Sequence, residues 1–397
     1  MRRSLLTSIL CALIFVAPAC DDGGSTNPEE IDDDELGEGE LDGKGPGGIG
    51  SLTDQLDKAD PAVVEAEALL AEGKYQDALA RIDAAIGEQP DNARFHYVRG
   101  NALSYLAERA DAEAAYRKSI ELDPGDALPL AALGQLVAFG EGATLEHKQE
   151  AIEYFQAALA IEPRLADAHR SLGAVLITLK RYQEAVEALE NASRLAGTAE
   201  TSFLLAQVHG ELGNFDQAVS YAKDAVDYEP EASGADLRLL YARVLLKNGQ
   251  ADDAAREFER VGELVPDSPP LRLEVARGLL EIGRADAAMV HMQWLVSVAP
   301  KEIPVIVNHA RVLLAQGKAK DAVARFDEAL AIKAGSRAAL MYKIEAQVAA
   351  KQCKAANKTF ASLAEALDWE PKAAKAAKDE ELPRALLKGR GFLSPCK

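Results

Sequence analysis

The chain has 397 residues and a formal net charge of -20 at pH 7, and 48% of its residues are hydrophobic while only 6% are aromatic. This acidic balance argues against nucleic acid, and against an anionic membrane surface bound by charge alone, because both require clustered Lys and Arg. Abundant Ala and Leu with few aromatic residues favour helices over sheets.

The segment 1–19 is predicted to be a targeting sequence that is not part of the folded protein. Arg2 and Arg3 supply a positive start, and the apolar run from Leu5 to Val16 is too short to be a stable membrane span. The sequence Ala-Pro-Ala-Cys at 17–20 is similar to the lipobox of bacterial lipoproteins, in which the Cys thiol accepts a diacylglycerol and becomes the mature N-terminus. The resemblance implies lipidation at Cys20 and attachment to a membrane of the bacterial cell envelope, facing the periplasm or the cell surface.

A second interpretation of this segment stays open. The lipobox usually has Leu or another aliphatic residue three positions before the Cys, where this chain has Ala17. The same four residues also satisfy the A-x-A rule for ordinary secretory cleavage, which would leave a secreted or periplasmic protein. In both cases the chain is expected to leave the cytoplasm.

The segment 20–58 is predicted to form a disordered, acidic and Gly-rich tether. Many Asp and Glu residues between Asp21 and Asp42 are interleaved with Gly and almost no apolar side chains. Such a segment buries too little surface to offset the entropy cost of ordering, and its like charges extend it. The Asp cluster at 32–34 lacks the spacing of a calcium loop.

The folded part begins near position 59 and is organised around a recurring alanine. Nine alanines follow one another at a nearly constant spacing: Ala78, Ala112, Ala151, Ala185, Ala218, Ala254, Ala288, Ala322 and Ala356. A larger side chain follows most of them four positions later. A period of about 34 residues over most of a chain indicates a repeat array. Within each period, apolar residues recur at spacings of three and four on two segments, which predicts two amphipathic helices joined by a short turn.

Small residues and prolines delimit these helices. Five glycines stand at the ends of first helices, where a left-handed C-cap is expected: Gly73, Gly213, Gly249, Gly283 and Gly317. Pro at the end of most second helices stops the helix. In the fourth period, Gly173 and Ala185 fall where the two helices would cross, so that their axes can approach closely.

These features resemble the tetratricopeptide repeat family. The matching residues include the Leu-Gly pairs at 133–134 and 172–173 and the Gly-x-aromatic turns at 73–75 and 213–215. The resemblance covers the segment 59–370. It implies an all-α fold, an α-α superhelix (solenoid) of about nine helix-turn-helix repeats, whose concave groove binds a segment of another protein.

Two segments depart from the regular array. The third unit carries a short insertion around 140–147, which predicts a longer turn between its helices. The segment 371–397 is predicted to form a C-terminal capping helix, interrupted at Pro383, and a tail, because an array needs an end with one polar face.

Two cysteines, Cys353 and Cys396, are expected to form a disulfide. Cys353 lies in the turn that opens the last second helix, and an antiparallel capping helix would bring Cys396 back toward it. Export permits the bond, and closing a loop of this size would stabilise the fold by about 4 kcal/mol on the chain-entropy model. Two unrelated buried thiols are the alternative.

No motif in the sequence carries catalytic or metal chemistry. The six histidines lie in different units with no pair at metal spacing: His96, His147, His169, His209, His291 and His309. His96 and His169 share a helix position that is usually aromatic in the resembled family, so they are interpreted as packing residues. No nucleophile elbow, phosphate loop or zinc-protease motif is present. We therefore expect neither an enzyme nor a cofactor or metal site.

One set of residues predicts a binding surface in the C-terminal half. Arg243, Arg277 and Arg311 are each one repeat period apart and follow the small residue of a first helix, a position that in the resembled family faces the concave groove. We call them the arginine ladder. An apolar floor would be formed by the residues four positions before each arginine, which are Leu239, Leu273 and Val307. Because Arg captures carboxylates in a bidentate manner, an acidic or C-terminal peptide is a candidate ligand. Internal pairing with neighbouring acids, such as Glu281, is the alternative.

The N-terminal half presents a more aromatic and neutral surface at the matching positions. The residues there are Tyr97, Asn101, Tyr105, Ala131, Gln135 and Phe139. Aromatic residues are frequent anchors in interfaces, and ordinary packing between units is the alternative.

The function that these features predict is a lipid-anchored envelope scaffold or adaptor that binds partner proteins or peptides in the groove. Resemblance to lipid-anchored tetratricopeptide repeat proteins suggests a pilus, secretion, polysaccharide-export or cell-wall complex as its context. The alternative is a soluble periplasmic, chaperone-like binder of several clients.

Overall fold

The computed structural model describes residues 60–140, 142–228, 234–367 and 384–396, and every regular element in these residues is helical. The targeting segment, the acidic tether and positions 371–383 of the predicted capping helix lie outside the described residues. Between positions 61 and 366 of the described chain, the helices form nine consecutive pairs. The predicted all-α class of helix-turn-helix repeats is confirmed.

The chain divides into two compact units, 1–197 and 198–397. Unit 1 contains four helix pairs: α1 Pro61–Ala71 and α2 Tyr75–Glu88, α3 Ala93–Tyr105 and α4 Arg109–Leu122, α5 Ala127–Phe139 and α6 Leu145–Ile161, α7 Ala166–Thr178 and α8 Tyr182–Leu195.

Unit 2 contains five helix pairs and a short C-terminal segment. The pairs are α9 Ala199–Leu212 and α10 Phe215–Tyr228, α11 Ala235–Lys247 and α12 Ala251–Leu264, α13 Pro269–Glu281 and α14 Ala285–Val298, α15 Ile303–Ala315 and α16 Ala319–Ile332, α17 Arg337–Ala349 and α18 Cys353–Ala366. Helix α19, Arg384–Phe392, and a 3-10 turn at Ser394–Cys396 follow.

The recurring alanine is a core position in every repeat. All nine alanines, from Ala78 to Ala356, have 0% of their surface exposed. The residue four positions later is also buried in eight of the repeats, from Ile82 to Phe326, and it is larger than alanine in all of them except the fifth, which has Ala222. In the ninth repeat this residue is Phe360, which is half-buried. Since no surface remains at the alanine, a larger side chain there would overpack the core.

The close approach of paired helices depends on a glycine that faces the larger residue rather than the alanine. A Cβ on Gly173 would lie 2.5 Å from Leu189 Cγ, and one on Gly134 would lie 2.9 Å from Phe155 Cε1. The sequence placed Gly173 and Ala185 at this crossing, and the structure shows that the side chain in contact with Gly173 is Leu189.

The turn after each first helix uses a left-handed residue in most repeats. All five predicted glycines have φ between 76° and 85°. In three repeats the same turn position holds a residue with a side chain, namely Ala107, Lys180 and Lys351, at φ of 62°, 59° and 60°. Because left-handed backbone is unfavourable for residues with a Cβ, these three turns are strained relative to the glycine turns.

The insertion in the third repeat is shared between turn and helix. Helix α6 has 17 residues whereas α8 has 14, so a longer turn alone does not accommodate the insertion. Thr144 and His147 begin this longer helix with a reciprocal capping box, in which each side chain accepts a hydrogen bond from the backbone N–H of the other residue.

The C-terminal helix α19 packs on the last repeat. A Cβ on Gly389 would lie 3.0 Å from Leu363 Cδ2 and 3.4 Å from Ile344 Cδ1, so the α19 backbone sits directly on these side chains. Leu393 is buried in the same cluster. The structure joins Cys353 to Cys396 in a disulfide with a Cα–Cα distance of 5.5 Å, which ties the end of the chain to the first residue of α18.

Candidate functional site

The first helices of consecutive repeats in unit 2 form one surface. Neighbouring first helices contact each other, for example α13 with α15 and α15 with α17. One position of each first helix forms a register along this surface: Gln207, Arg243, Arg277, Arg311 and Glu345. In the first four helices this residue follows an alanine, whereas Glu345 follows Ile344. We call this the first-helix surface of unit 2, and it contains the arginine ladder.

The first two arginines of the ladder share one carboxylate. The Arg243 guanidinium donates from α11 to Glu274 Oε2 on α13, and Arg277 Nη1 donates to Glu274 Oε1 at 2.9 Å. The side chains of Arg243 and Arg277 are 41% and 42% exposed, whereas that of Glu274 is 22% exposed. A carboxylate therefore bridges two repeats while both guanidinium groups stay accessible to solvent. The predicted internal partner, Glu281, is not the residue that the structure pairs with them.

The third arginine has an amide and an aromatic ring as partners. Arg311 Nη1 donates to Asn308 Oδ1 at 2.9 Å, and its Cζ lies 4.6 Å from the centre of the Tyr342 ring. Neither partner carries a negative charge, so the positive charge of Arg311 is not neutralised by these contacts. The cation–π contact with Tyr342 joins the ladder to the next first helix, α17.

Two half-buried acids flank the ladder. Burial raises the pKa of Asp236, and the positive charge of Arg243 opposes this rise. Burial likewise raises the pKa of Glu345, against the charges of Lys388 and Arg311. Each of these carboxyl groups therefore lies within electrostatic reach of a ladder arginine, although burial disfavours its charged form.

The predicted apolar floor is mostly part of the core. Leu239 and Val307 are 5% and 6% exposed, and Leu273 is half-buried. Little apolar surface is therefore open between the arginines. Recognition here depends chiefly on charge and hydrogen bonding.

In unit 1, most of the predicted inward residues contact other side chains of the repeats. The Arg94 guanidinium lies 4.7 Å from the centre of the Tyr97 ring, Asn101 Oδ1 accepts a 2.9 Å hydrogen bond from Tyr116 Oη, and Gln135 Nε2 donates to Ser171 Oγ at 2.9 Å. Burial raises the pKa of Tyr97. Ala131 is buried and Phe139 is half-buried.

Tyr105 differs from these residues because its side chain is open to solvent. It is 59% exposed and stacks on Tyr75 with ring centres 4.8 Å apart and an interplanar angle of 7°. This pair is the aromatic part of the unit 1 surface that a partner can reach.

The histidines have structural surroundings. His96 Nε2 bonds to the Pro90 carbonyl oxygen at 2.7 Å, and His169 Nε2 bonds to that of Pro163 at 3.0 Å. Burial lowers the pKa of His291 and of His309. Among the described residues, no group of three or more His, Cys, Asp or Glu is arranged to hold a metal ion. The described helices also include none that is long and apolar enough to cross a membrane.

Several residues of the unit 2 surface were not singled out from the sequence. Glu274, Asn308 and Tyr342 each lie three positions before a member of the register, on the same helix face, so the i, i+3 rule could have found them. Glu345 continues the same spacing beyond Arg311. Nothing in the repeat pattern pointed to Lys388, which follows the array.

Comparison with known proteins identifies the repeats. Three family models, each described as a tetratricopeptide repeat, match residues 211–273, 164–228 and 63–127. The matched residues, 63–127 and 164–273, are therefore similar to tetratricopeptide repeats. No curated protein sequence matches it.

Several solved structures are similar to this chain at low sequence identity. The Cut9–Hcn1 hetero-tetramer of the APC/C is 18% identical, with 75% of this chain and 57% of that chain covered and a TM-score of 0.50. PilW, described as a type IV pilus biogenesis factor, is 21% identical over 54% of this chain and 98% of its own, with a TM-score of 0.48. Pseudomonas aeruginosa pilF is 21% identical over 55% of this chain and 96% of its own, with a TM-score of 0.46. The first of these supports the repeat fold.

Proposed function

We propose that this tetratricopeptide repeat protein is a scaffold without enzymatic activity that binds an acidic segment of a partner protein on the first-helix surface of unit 2. The observation that carries the proposal is the position of the Glu274 carboxylate between Arg243 and Arg277. It supports the view that guanidinium groups from successive repeats can hold one carboxylate together. A partner's carboxylates would extend this arrangement along the ladder.

The charge of the surface favours an acidic ligand. The ladder contributes three positive charges. Glu274 makes direct ion pairs with it, and the other acids beside it are the half-buried Asp236 and Glu345, whose pKa values are raised by burial. The whole chain has a net charge of -20, so the ladder lies in an otherwise acidic protein. Acidic partners would be repelled by other surfaces and directed to this one.

A peptide titration tests the binding. The probe is a fluorescein-labelled decapeptide of alternating Asp and Gly, with an Asn and Gly peptide as the uncharged comparison. Replacing Arg243, Arg277 and Arg311 by Gln should weaken binding of the acidic peptide by at least about tenfold, because three partly desolvated charge contacts are lost.

The matched control changes three arginines on second helices. Arg256, Arg260 and Arg325 make ion pairs within their own helices, to Asp253, Glu263 and Glu328. Replacing these three by Gln alters the net charge equally and should leave peptide affinity within about twofold. Equal losses in both variants would show that the affinity reflects net charge rather than the ladder, and the proposal would fail.

We further propose that lipid on Cys20 anchors the protein to a membrane of the bacterial envelope, with the segment 20–58 as the tether. The support is the lipobox-like sequence at 17–20 after an apolar run. Each buried methylene of an acyl chain contributes about 0.8 kcal/mol, so several chains hold a protein on a bilayer.

Metabolic labelling with an alkyne fatty acid should mark the wild type but not Cys20→Ser. Cys20→Ser should move to the soluble fraction.

Crosslinking followed by mass spectrometry in the native envelope identifies the partner and its complex. One dominant partner crosslinked to α11, α13 or α15 fits the scaffold. Many unrelated clients, together with an unlabelled wild-type protein, would instead fit a soluble periplasmic binder.

A further inference from the structure

The arginine ladder ends at Arg311, because the next repeat has no arginine or lysine at the corresponding position. Glu345 stands one repeat period after Arg311, at the corresponding position of α17. Three positions earlier, Tyr342 takes the place that Glu274 and Asn308 hold in the preceding repeats. The last repeat therefore presents an aromatic ring and an acid on the first-helix surface, but no cation of its own at the ladder position.

Helix α19 brings a cation to this place. Lys388 Nζ lies 5.4 Å from the centre of the Tyr342 ring, which also faces the Arg311 guanidinium at 4.6 Å. Lys388 and Arg311 both act electrostatically on the Glu345 carboxyl. The Tyr342 ring thus contacts one cation from the array, Arg311, and one from outside it, Lys388. Lys388 is exposed, so a ligand can reach it.

Two contacts hold α19 in this position. Gly389, the neighbour of Lys388, is packed against Leu363, Ile344 and Phe360, where even a methyl group would lie within 3.0 to 3.4 Å of their side chains. At the end of the segment, the disulfide joins Cys396 to Cys353. The short helix has 9 residues, and isolated helices of this length are unstable in water. Its attachment therefore depends on these contacts with the last repeat.

We propose that Lys388 is the fourth cation of the ligand-binding surface of unit 2, and that the Cys353–Cys396 disulfide keeps it there. This inference rests on the proposed function and names a residue outside the repeats as part of the same site. Neighbouring packed helices lie about 8–10 Å apart, so the line from Arg243 to Lys388 is roughly 30 Å long, the reach of about nine extended residues. The ligand is an acidic segment of at least that length.

The state of the disulfide then controls the affinity. A dithiol reductant breaks the Sγ–Sγ bond and supplies two electrons and two protons, which yields two thiols and the oxidised reductant as a cyclic disulfide. Both cysteines are half-buried rather than enclosed. After reduction α19 is held by packing alone, and Lys388 spends less time beside Tyr342.

The test uses the full chain and the Asp and Gly decapeptide. Oxidised Lys388→Gln should bind about three- to tenfold more weakly than the wild type, whereas Lys358→Gln, an exposed lysine on α18, should match the wild type. Treatment with a dithiol, or the replacement of both cysteines by Ser, should weaken wild-type binding by a similar factor. The same treatment should have little effect on Lys388→Gln, since its cation is already absent.

Hydrogen exchange of the segment 384–396 supplies the second readout. Reduction should accelerate exchange there while α11, α13 and α15 stay unchanged. If the wild type binds the acidic peptide and Lys388→Gln binds it with the same affinity, this inference is overturned but the proposed function is not. Unchanged exchange and affinity after reduction would overturn the role of the disulfide. A wild type that binds the acidic peptide no better than the Asn and Gly peptide would overturn the proposed function and this inference together.

Discussion

Arg243 and Glu274 form an ion pair between the first helices of two successive repeats, α11 and α13. The same carboxylate also pairs with Arg277 on its own helix. One acid thus competes with any ligand for two of the three ladder arginines. Its removal separates the internal pairing from ligand capture.

The variant Glu274→Gln should increase the affinity for the acidic peptide by about three- to tenfold, since two guanidinium groups lose their internal anion. The free energy of unfolding should fall by only about 0–1 kcal/mol, because the arginines are partly exposed and screened by solvent. Fluorescence anisotropy and denaturant titration measure the two effects. Weaker peptide binding in Glu274→Gln would mean that the acid is needed to orient the arginines.

Gly173→Ala should destabilise the fold by about 1–3 kcal/mol, because its methyl group would overlap the fully buried side chain of Leu189, which would have to shift within a packed core. The control is Gly87→Ala on α2, where no atom lies within 4 Å of the added methyl group. This variant should gain about 0.5–1 kcal/mol from the better helix propensity of Ala. Denaturant midpoints of both variants check the contrast. Similar midpoints would argue against a tight crossing of α7 and α8.

Lys180→Gly should stabilise the protein by about 0.5–1 kcal/mol, because Lys180 has a φ of 59° in a turn that other repeats fill with Gly. The reverse change, Gly249→Ala, should cost about 1 kcal/mol. Gly249 has a φ of 76° and open space around it, so only the backbone strain is altered. Thermal or denaturant unfolding measures both changes. A loss of stability in Lys180→Gly would show that the left-handed backbone at Lys180 does not destabilise the protein.

Acid should destabilise unit 2 through His291 and His309. Burial lowers the pKa of both, with the charges of Arg272 and Arg325 acting in the same direction and Glu328 opposing it at His309. The unfolded state therefore binds protons more readily once the pH falls below the ordinary value of 6.5. The contribution of the two neutral histidines to the free energy of unfolding is fully present above pH 6.5. It is lost as the pH decreases from that value through the lowered pKa of the folded state.

The double variant His291→Gln and His309→Gln isolates this effect from other titrating groups. As the pH decreases from 7.5 to 5.5, the free energy of unfolding should fall more in the wild type than in the double variant. Denaturant titrations at several pH values follow it. A difference that stays constant with pH would show that the two histidines do not contribute.

The sequence was a good guide to the array because the relevant signals are short-range. Apolar spacing within a helix predicts which face is buried, and the nine alanines are indeed fully buried. Gly is preferred wherever the backbone is left-handed, and the five glycines lie in that conformation. The angular position of Arg243, Arg277 and Arg311 on their helices follows from the same periodicity.

The site was only partly predictable for a related reason. Periodicity tells which way a side chain points, but it does not tell which neighbour the side chain reaches. The expected apolar floor proved to be largely core, since Leu239 and Val307 pack beneath the surface. In unit 1, Tyr97 contacts Arg94 and Tyr116, whereas Tyr105 stacks on Tyr75 and stays exposed.

By itself the sequence determined the repeat length, the helix pairs, the left-handed conformation of the five glycine turns and the register of the ladder, because each depends on contacts within about one period. Only the tertiary structure decided that Glu274 bridges two arginines, that Leu189 contacts Gly173, and that Lys388 lies beside Tyr342. Those contacts join separate helices, and Lys388 belongs to a segment outside the repeat register. Their formation depends on how whole helices pack, which no local pattern encodes.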